Sequence, residues 1–279
     1  MGKAHGMGWI PDYPDLRDYT TTHKLVAPML GKIKAKHNSL PSSVDLRRWC
    51  PPIEDQGYLG SCTAQAGVAL VEYYETQASG RHIDASRLFL YKTTRNLLHW
   101  KEDMGATIRA TMGAMVLFGI PPEEYWPYEI DNFDREPPAF CYSFAKEYQS
   151  IQYFRLDPPG ISGIKLLSEI KEHLADGIPS MFGFTVYDSI YKAEEDGKIP
   201  FPSPAERIIG GHAVIAVGYD NNLKIRNNKG VLLIRNSWGT AWGDNGYGYL
   251  PYDYVLSGLA RDFWSVLKSE WVDTGEFTV

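Results

Sequence analysis

Apolar residues recur every three or four positions in three stretches of the first two thirds of the chain. The first stretch, SCTAQAGVALVEYYETQ, begins at Ser61. The second, ATIRATMGAMVLFG, ends at Gly119 just before two prolines, and the third, GIKLLSEIKEHLADG, ends at Gly177. This spacing puts the apolar side chains on one face of a helix, and glycine and proline are typical of helix ends. The pattern therefore predicts three helices.

Beyond about residue 180 the pattern changes to short apolar or alternating runs. The runs are MFGFTVY, HAVIAVGY, VLLIRNSW and GYGYLPY, and they are separated by glycine and asparagine. Such runs are typical of strands, and these separators are typical of turns. Helices first and strands later predict an α+β fold.

The composition narrows the class of protein. With 279 residues, 44% of them hydrophobic and 22% charged, the chain is in the globular range. A net charge of -6 leaves no basic surface of the kind that binds nucleic acid. No apolar run approaches the roughly 20 residues that span a membrane, and the start has no apolar stretch of signal-peptide length. We expect a soluble protein without a membrane partner, cytoplasmic unless a signal peptide has been removed from a secreted one.

The first forty residues differ from the remainder in charge. They hold six Lys or Arg and three Asp, a net of +3, so the remainder carries -9. The segment is either a solvated tail or a docked segment held partly by charge. Docking is favoured by an apolar cluster that comprises Trp9, Ile10, Tyr13, Leu16 and Tyr19. We expect GKIKAKHNS, which follows, to be an exposed linker.

Cys62 stands near the start of the first predicted helix, and Gly57 and Gly60 precede it. The positive end of a helix dipole favours a thiolate over a thiol, and therefore a nucleophile. A single cysteine is more often buried and inert. The other cysteines, Cys50 and Cys141, are too scattered for a disulfide scaffold, and no C-x-x-C pair indicates zinc.

Two further residues complete an order that is known from thiol catalysis. His212 lies 150 residues after Cys62, and Asn236 follows 24 residues later. An asparagine amide can orient an imidazole, while Trp238 and Trp242 could shield it from water. Each signal is weak alone, but together they predict a Cys-His-Asn triad.

With these residues the chain resembles the papain-like cysteine proteases, and more closely their bacterial members with a short pro-segment. The run D-Q-G-Y-L-G-S-C places Gln56 six residues before Cys62, where the family has an oxyanion-hole glutamine. The run L-P-S-S-V-D-L-R resembles the first strand of the mature enzymes. The resemblance implies two lobes, one mainly helical and one mainly β and barrel-like, with the active-site cleft between them.

The resemblance also implies a division of the chain and a mechanism. Residues 1–40 would be a pro-segment that blocks the cleft of a latent zymogen. Residues 41–279 would be the peptidase domain, with a helical lobe at about 50–150 and a β lobe at about 151–270. In an endopeptidase of this kind His212 takes the Cys62 proton, Gln56 and the Cys62 N–H hold the oxyanion, and Asn236 orients the imidazole. The expected partners are peptide or protein substrates and the pro-segment itself. We expect a monomer and no metal or cofactor.

A glycine-rich stretch, GATIRATMGAMVLFGIPPEEYWPYE, resembles the part of the family that binds substrate. By that match Gly105 and Ala106 would pair with the substrate backbone as an added strand. Thr107 and Ile108 would line the pocket for the second residue before the cut.

Three further positions are expected to bind substrate. Gly211 and Trp238 flank the catalytic residues, and the run GLARDFWSV resembles the family segment that forms the pocket floor. Either Arg261 or Asp262 would be that floor. If Asp262 points inward, it would accept Arg or Lys, because a buried charge needs a partner. Alternatively, Asp262 is solvated or paired with Arg261 at the surface.

The chain departs from the family pattern near the nucleophile. Leu59 and Thr63 stand where the family usually has a half-cystine and an aromatic residue. Cys50 and Cys141 could form another disulfide or remain two free thiols. The interval from His212 to Asn236 is long, and we expect NNLKIRNNKG to absorb the excess as a hairpin loop.

Two other functions use the same groove. An acyl transferase or transpeptidase would pass the acyl-enzyme to an amine instead of water. A non-catalytic peptide-binding module would keep the groove without the chemistry.

Overall fold

A computed structural model describes residues 5–33, 39–145 and 151–268. The helices are α1 (Ala27–Ile33), α2 (Cys62–Ser79), α3 (Arg87–Leu97), α4 (Ile108–Phe118), α5 (Ala139–Phe144), α6 (Gly163–Ala175) and α7 (Asp253–Leu256). The strands are β1 (Ser43–Asp45), β2 (Ile151–Arg155), β3 (Ser180–Tyr187), β4 (Ile208–Ile225), β5 (Asn228–Arg235), β6 (Tyr247–Pro251) and β7 (Ala260–Lys268). Short 3-10 turns lie at Arg47–Trp49, Glu123–Tyr125, Ile130–Asn132 and Asp188–Ala193.

The three helices expected from the apolar spacing are present as α2, α4 and α6. Helix α2 is the central one, because every residue from Cys62 to Tyr74 is buried. Gly67 lets α3 and α4 approach it closely, since a Cβ there would lie 3.2–3.3 Å from side chains of both helices. The helix ends at Gly80, whose left-handed φ of 68° a side chain would oppose.

The strands form an antiparallel sheet in the order β2-β7-β3-β4-β5-β6, and β1 also pairs with β4. Helices α2 to α5 belong to the helical lobe, and the sheet belongs with α6 and α7 to the other lobe. The expected α+β, two-lobed fold is confirmed. The strand expected from L-P-S-S-V-D-L-R is β1, where Val44 pairs with Tyr219.

The hairpin loop expected from NNLKIRNNKG is mostly strand. Strand β4 continues to Ile225 and β5 begins at Asn228, so only two residues form the turn. Arg226 takes a left-handed φ of 53° there. Ile225 is buried, and a register shift between Asp220 and Lys224 absorbs the extra length. The expected hairpin is present, but its arms are strands and not a loop, because polar residues on exposed strand positions resemble a loop in sequence.

The linker expected from GKIKAKHNS begins inside a helix, since its first three residues end α1. Residues 34–38 of that linker lie outside the described part of the chain. Within the described ranges, no helix combines the length and the apolar character that crossing a bilayer requires.

The site is positioned where the two lobes meet. Helix α2 packs against β4, so its first residue, Cys62, comes beside the backbone of Ala213. The N-terminal segment, which we define as residues 5–20, lies along this junction. Trp9 pairs with Ala106 ahead of α4 and donates its backbone N–H to the carbonyl of Gly211 on β4 at 3.0 Å.

Candidate active site

Cys62 is fully buried at the first position of α2. Burial raises the pKa of its thiol to about 11, although the backbone N–H groups of Ala213, Gly8 and Thr63 act in the opposite direction. The helix N-terminus alone would favour the thiolate. In this arrangement the loss of solvent outweighs it.

His212 is held by Asn236. Its Nε2 donates to Asn236 Oδ1 at 2.7 Å, and that same oxygen accepts the backbone N–H of Ser237 at 2.8 Å. The amide oxygen therefore faces two donors, which places the imidazole proton on Nε2. Within the described residues Nδ1 has no hydrogen-bond partner, so it can accept a proton. Burial lowers the pKa of His212 to about 4, against the effect of the bond to Asn236.

Two tryptophans cover this pair. The ring of Trp238 stacks on His212 with 4.4 Å between centroids, and Trp242 meets Trp238 edge-on at 5.4 Å. Both indoles are 3% exposed. They exclude water from the His212–Asn236 hydrogen bond, as expected from the sequence.

Gln56 is fixed at both ends of its side-chain amide. Oε1 accepts the hydroxyl of Ser237 at 2.6 Å, while Nε2 donates to the carbonyl oxygens of Leu59 at 2.8 Å and Gly6 at 3.1 Å. The amide N–H groups therefore serve both the loop before α2 and the N-terminal segment.

Two residues that sequence reasoning missed support this loop. Ser237 orients Gln56, and Tyr128 donates its hydroxyl to the backbone carbonyl of Gln56 at 3.1 Å. Tyr128 also shares a hydrogen bond of 2.6 Å with the hydroxyl of Ser61, beside the nucleophile. Their positions gave a signal, since Ser237 follows Asn236 directly and Tyr128 ends the run Trp126-Pro127-Tyr128 within the glycine-rich stretch quoted above.

The structure brings Cys62, His212, Asn236 and Gln56 to the junction of α2 with the sheet. They come from the start of α2, the first third of β4, the residue after β5 and the loop before α2. All four are buried, at 0–2% exposure.

The N-terminal segment lies over these residues. The ring of His5 stacks on Trp238 at 4.7 Å, and the carbonyl of Gly6 accepts from Trp238 Nε1 at 3.3 Å. Farther along, Gly8 accepts the N–H of Ala106 at 2.7 Å, and Ile10 donates to Ala106 at 3.0 Å. The segment is therefore docked here, and the alternative of a solvated tail is wrong for these residues. The apolar cluster expected to dock contributes only in part, because Trp9 is buried whereas Tyr13 and Leu16 are 84% and 95% exposed.

Small residues make this docking possible. A Cβ at Gly6 would lie 2.2 Å from the carbonyl oxygen of Leu59, and one at Gly8 would lie 1.9 Å from that of Gly60. On the opposite side Gly105 has a φ of 80°, and its Cβ would lie 2.0 Å from the carbonyl oxygen of Gly8. The backbone of the segment therefore passes at a distance that admits only glycine.

Trp9 fills a pocket in the sheet lobe and is 4% exposed. Its indole lies against glycines, since a Cβ at Gly183 would fall 1.9 Å from the ring and one at Gly211 2.9 Å. At the inner end, Nε1 donates to Asp262 Oδ2 at 3.2 Å. The pocket is therefore flat, with a hydrogen-bond acceptor at its floor.

Asp262 is the pocket floor, and Arg261 is exposed and donates to Gly258 instead. The surface alternative for Asp262 is wrong. Its carboxylate pairs with Arg155 at 2.5 Å, and burial raises its pKa while Arg155 lowers it. Arg155 also pairs with the buried carboxylate of Asp157 at 2.9 Å, so one cation serves two carboxylates, and the expected acceptance of Arg or Lys stays a prediction.

Thr107 and Ile108 lie next to Ala106 in the chain. The Thr107 hydroxyl caps α4 by accepting the N–H of Ala110 at 3.2 Å, and Ile108 is fully buried. Their expected place in the substrate pocket stays a prediction.

Ion pairs hold the rest of the segment. Asp12 and Asp18 both pair with Arg109, the latter at 2.7 Å, and Asp18 also lies 3.5 Å from Arg155. These contacts run from carboxylates of the segment to arginines of the body. The net charges of +3 for the first forty residues and -9 for the remainder suggested basic groups on the segment and acidic groups on the body. A net charge does not show which individual residues form the contacts.

The remaining cysteines are free thiols in the structure. Cys50 Sγ lies 3.8 Å from the carbonyl of Leu46, and Cys141 Sγ lies 3.5 Å from that of Tyr125. Of the two alternatives for this pair, the structure takes the one without a disulfide.

Residues 40–263 match the papain family of cysteine proteases. The chain belongs to this family. It is therefore a cysteine peptidase of the hydrolase class, whose members act on peptide bonds. The match begins three residues before β1 and ends one residue after Asp262, so it spans both lobes.

Two similar proteins cover nearly the whole chain. An uncharacterized peptidase C1-like protein of Acanthamoeba polyphaga mimivirus is 35% identical over 94% of this chain and 87% of its own length. Xylellain, a cysteine protease from Xylella fastidiosa, is 33% identical with a TM-score of 0.77, covering 95% of this chain and 97% of its own.

A more distant structure shows the same fold. The ragweed pollen allergen Amb a 11, a cysteine protease in its proform, is 23% identical with a TM-score of 0.64 over 85% of this chain and 69% of its own. Since the relatives include a viral and a bacterial protein, the bacterial origin expected from the sequence stays a prediction.

Proposed function

We propose that this peptidase is an endopeptidase with Cys62 as its nucleophile and His212 as its general base and acid. The observation that carries the proposal is the hydrogen bond from His212 Nε2 to Asn236. It leaves Nδ1 as the nitrogen that accepts the thiol proton, because only one nitrogen of a neutral imidazole bears hydrogen.

The reaction follows from these positions. The proton moves from Cys62 Sγ to His212 Nδ1, and the thiolate forms a bond to the scissile carbonyl carbon. The oxyanion is held by Gln56 Nε2 and the Cys62 N–H. The tetrahedral adduct then breaks its C–N bond while His212 returns the proton to the leaving amine. Water, deprotonated by the same imidazole, cleaves the thioester.

A blocking experiment separates this function from its rivals. Chain 41–279 should hydrolyse an unstructured protein such as casein, and a thiol alkylator should abolish hydrolysis. A peptide-binding module would bind the substrate without cutting it. An acyl transferase would give a product that carries an added amine nucleophile, which mass spectrometry detects, so products are compared with and without that amine.

We further propose that residues 1–40 form a pro-segment that keeps the enzyme latent, with the boundary near residue 40. The support is what the segment presents to the nucleophile. The Gly8 backbone N–H approaches the Cys62 sulfur, and the Gly6 carbonyl accepts a hydrogen bond from the Gln56 side-chain amide. A sulfur that faces an N–H group meets no electrophilic carbon, so the segment can cover the site without being cut.

Burial adds an electrostatic block. Under the segment the pKa of the Cys62 thiol is about 11 and that of His212 about 4. At neutral pH both groups are therefore uncharged, and the thiolate–imidazolium pair that attacks a peptide does not form. Removal of the segment restores water to both groups.

Latency is tested by comparing the full chain with chain 41–279 on one peptide substrate. The shorter chain should have the higher specific activity, and a synthetic peptide of residues 5–20 should inhibit it in trans. Equal specific activity of the two chains would contradict the zymogen.

We propose that a substrate binds where the N-terminal segment now lies. The edge at Gly105 and Ala106 and the carbonyl of Gly211 would pair with the substrate backbone, and Trp238 would contact the side of the leaving amine. The Trp9 pocket, with Asp262 at its floor and Thr107 and Ile108 beside it, would take the second residue before the cut. These contacts need one chain, so we expect a monomer.

A further inference from the structure

A second polar cluster lies on α2, away from the nucleophile. Glu72 is 4% exposed and faces the loop that joins α2 to α3. That loop brings His82 and Asp84 beside it, both exposed. One imidazole nitrogen and one oxygen from each carboxylate all lie within 4.8 Å of one another.

Glu72 has too few partners for a buried carboxylate. Its Oε1 accepts the backbone N–H of Ala85 at 2.9 Å, and in the described part of the chain no Lys, Arg or His nitrogen forms an ion pair with it. Arg235 and Arg87 are the basic side chains close enough to act on it. A buried carboxylate without a cation costs free energy, which a bound cation would offset.

The two neighbouring arginines are engaged elsewhere. Arg87 pairs with Glu54 at 2.5 Å and with Glu123 at 2.9 Å, and it reaches Asp84 only at 3.5 Å. Arg235 donates to the backbone carbonyls of Pro51 and Pro52. The carboxylates around this point therefore outnumber the cations.

We propose that Glu72, His82 and Asp84 bind a divalent metal ion of the zinc type. An imidazole nitrogen and carboxylate oxygens are all donors that zinc accepts, and water would complete four-coordination. Zinc bonds of about 2.0–2.2 Å place tetrahedral ligand atoms about 3.4 Å apart, so ligand atoms that lie within 4.8 Å of one another need to close by up to about 1.4 Å. His82 and Asp84 are on an exposed loop and can make that movement.

The site is separate from the reaction. Glu72 is ten residues along α2 from Cys62, about 15 Å at 1.5 Å per residue. A metal there would fasten the α2–α3 loop to the central helix, so its effect is on stability. The inference does not depend on the proposed catalytic roles.

The test is calorimetric titration of the full chain with zinc chloride in a Cys62→Ala background, which removes the catalytic thiol as a zinc ligand. We expect binding of about one ion per chain and a rise in melting temperature with zinc. Glu72→Gln and His82→Asn should each weaken binding by more than about tenfold. His99→Asn, which replaces an exposed histidine elsewhere, should leave binding unchanged.

Two results would overturn the site. One is the absence of zinc binding by the Cys62→Ala chain. The other is an affinity that neither Glu72→Gln nor His82→Asn lowers, or that His99→Asn lowers equally. If Glu72→Gln fails to fold, the His82→Asn variant still tests the site, because His82 is exposed and its replacement should not disturb the fold. The melting temperature of each variant without metal shows whether that variant is folded.

Discussion

The side-chain amide of Gln56 donates a hydrogen bond of 3.1 Å to the carbonyl oxygen of Gly6, fifty residues earlier in the chain. The same amide is the proposed donor to a substrate oxyanion. The N-terminal segment therefore binds a group that we propose for catalysis. If residues 1–40 are a pro-segment, as proposed, latency and catalysis share this group, and disturbing the segment should increase activity.

Gly8→Ala should raise the activity of the full chain. The new Cβ would lie 1.9 Å from the carbonyl oxygen of Gly60, so the segment would have to leave the cleft. Gly31→Ala is the matched control, because a Cβ there meets nothing within 4 Å. Hydrolysis of a fluorogenic peptide measures both. Activation by neither variant, or equally by both, would contradict a segment held by close backbone contact.

The reactivity of Cys62 should depend on the segment. The pKa of the buried thiol is about 11, so thiolate forms in the full chain only as pH approaches that value. Below it, each pH unit lowers the thiolate fraction tenfold, to about 10⁻⁴ at pH 7. Chain 41–279 should react with iodoacetamide at pH 6–7. Site-resolved mass spectrometry from pH 5 to 10 distinguishes Cys62 from Cys50 and Cys141, and identical profiles for the two chains would count against the effect of burial.

Asp262 should select substrates with a donor on a flat side chain. Trp9 fills the pocket and donates its indole N–H to Asp262, which also pairs with Arg155. The ratio of kcat/KM for substrates with Trp and with Leu two residues before the cut should exceed one. In Asp262→Ala it should fall about tenfold, the loss of one buried hydrogen bond. An unchanged ratio would remove Asp262 from the pocket.

Ser237 should act through Gln56. Its hydroxyl donates to Gln56 Oε1 at 2.6 Å and so fixes the direction of the amide N–H groups. In chain 41–279, Ser237→Ala should lower kcat about tenfold with little change in KM or melting temperature. The double variant with Gln56→Ala should be no slower than Gln56→Ala alone. Additive losses would show that Ser237 acts by another route.

The helical pattern predicted α2, α4 and α6 but missed α3. Helix α3 buries charged residues, among them Lys92 and Arg95, which pair with Asp134 beyond the helix. The apolar residues in its first half, Leu88–Tyr91, are consecutive, and so short an apolar run does not distinguish a helix from a strand. Helix α3 therefore depends on ion pairs with a residue outside the helix, which the sequence pattern does not show.

The candidate site was also predictable from the sequence only in part. The order and spacing of Cys62, His212 and Asn236 pointed to the residues that the fold brings together. The same reasoning could not supply Arg155, which lies 107 residues from its partner Asp262. Nor could it explain Gly6 and Gly8, since only the carbonyl oxygens on the facing loop reveal why these positions lack a side chain.

The central claim is that Cys62 is the nucleophile. Its most direct test is the turnover of a peptide substrate by chain 41–279 with and without Cys62→Ala, with the melting temperature as a check of folding. The variant should retain less than about a hundredth of wild-type turnover, because no other group can form the acyl-enzyme. Turnover above that level in a folded variant would mean that another residue carries the reaction.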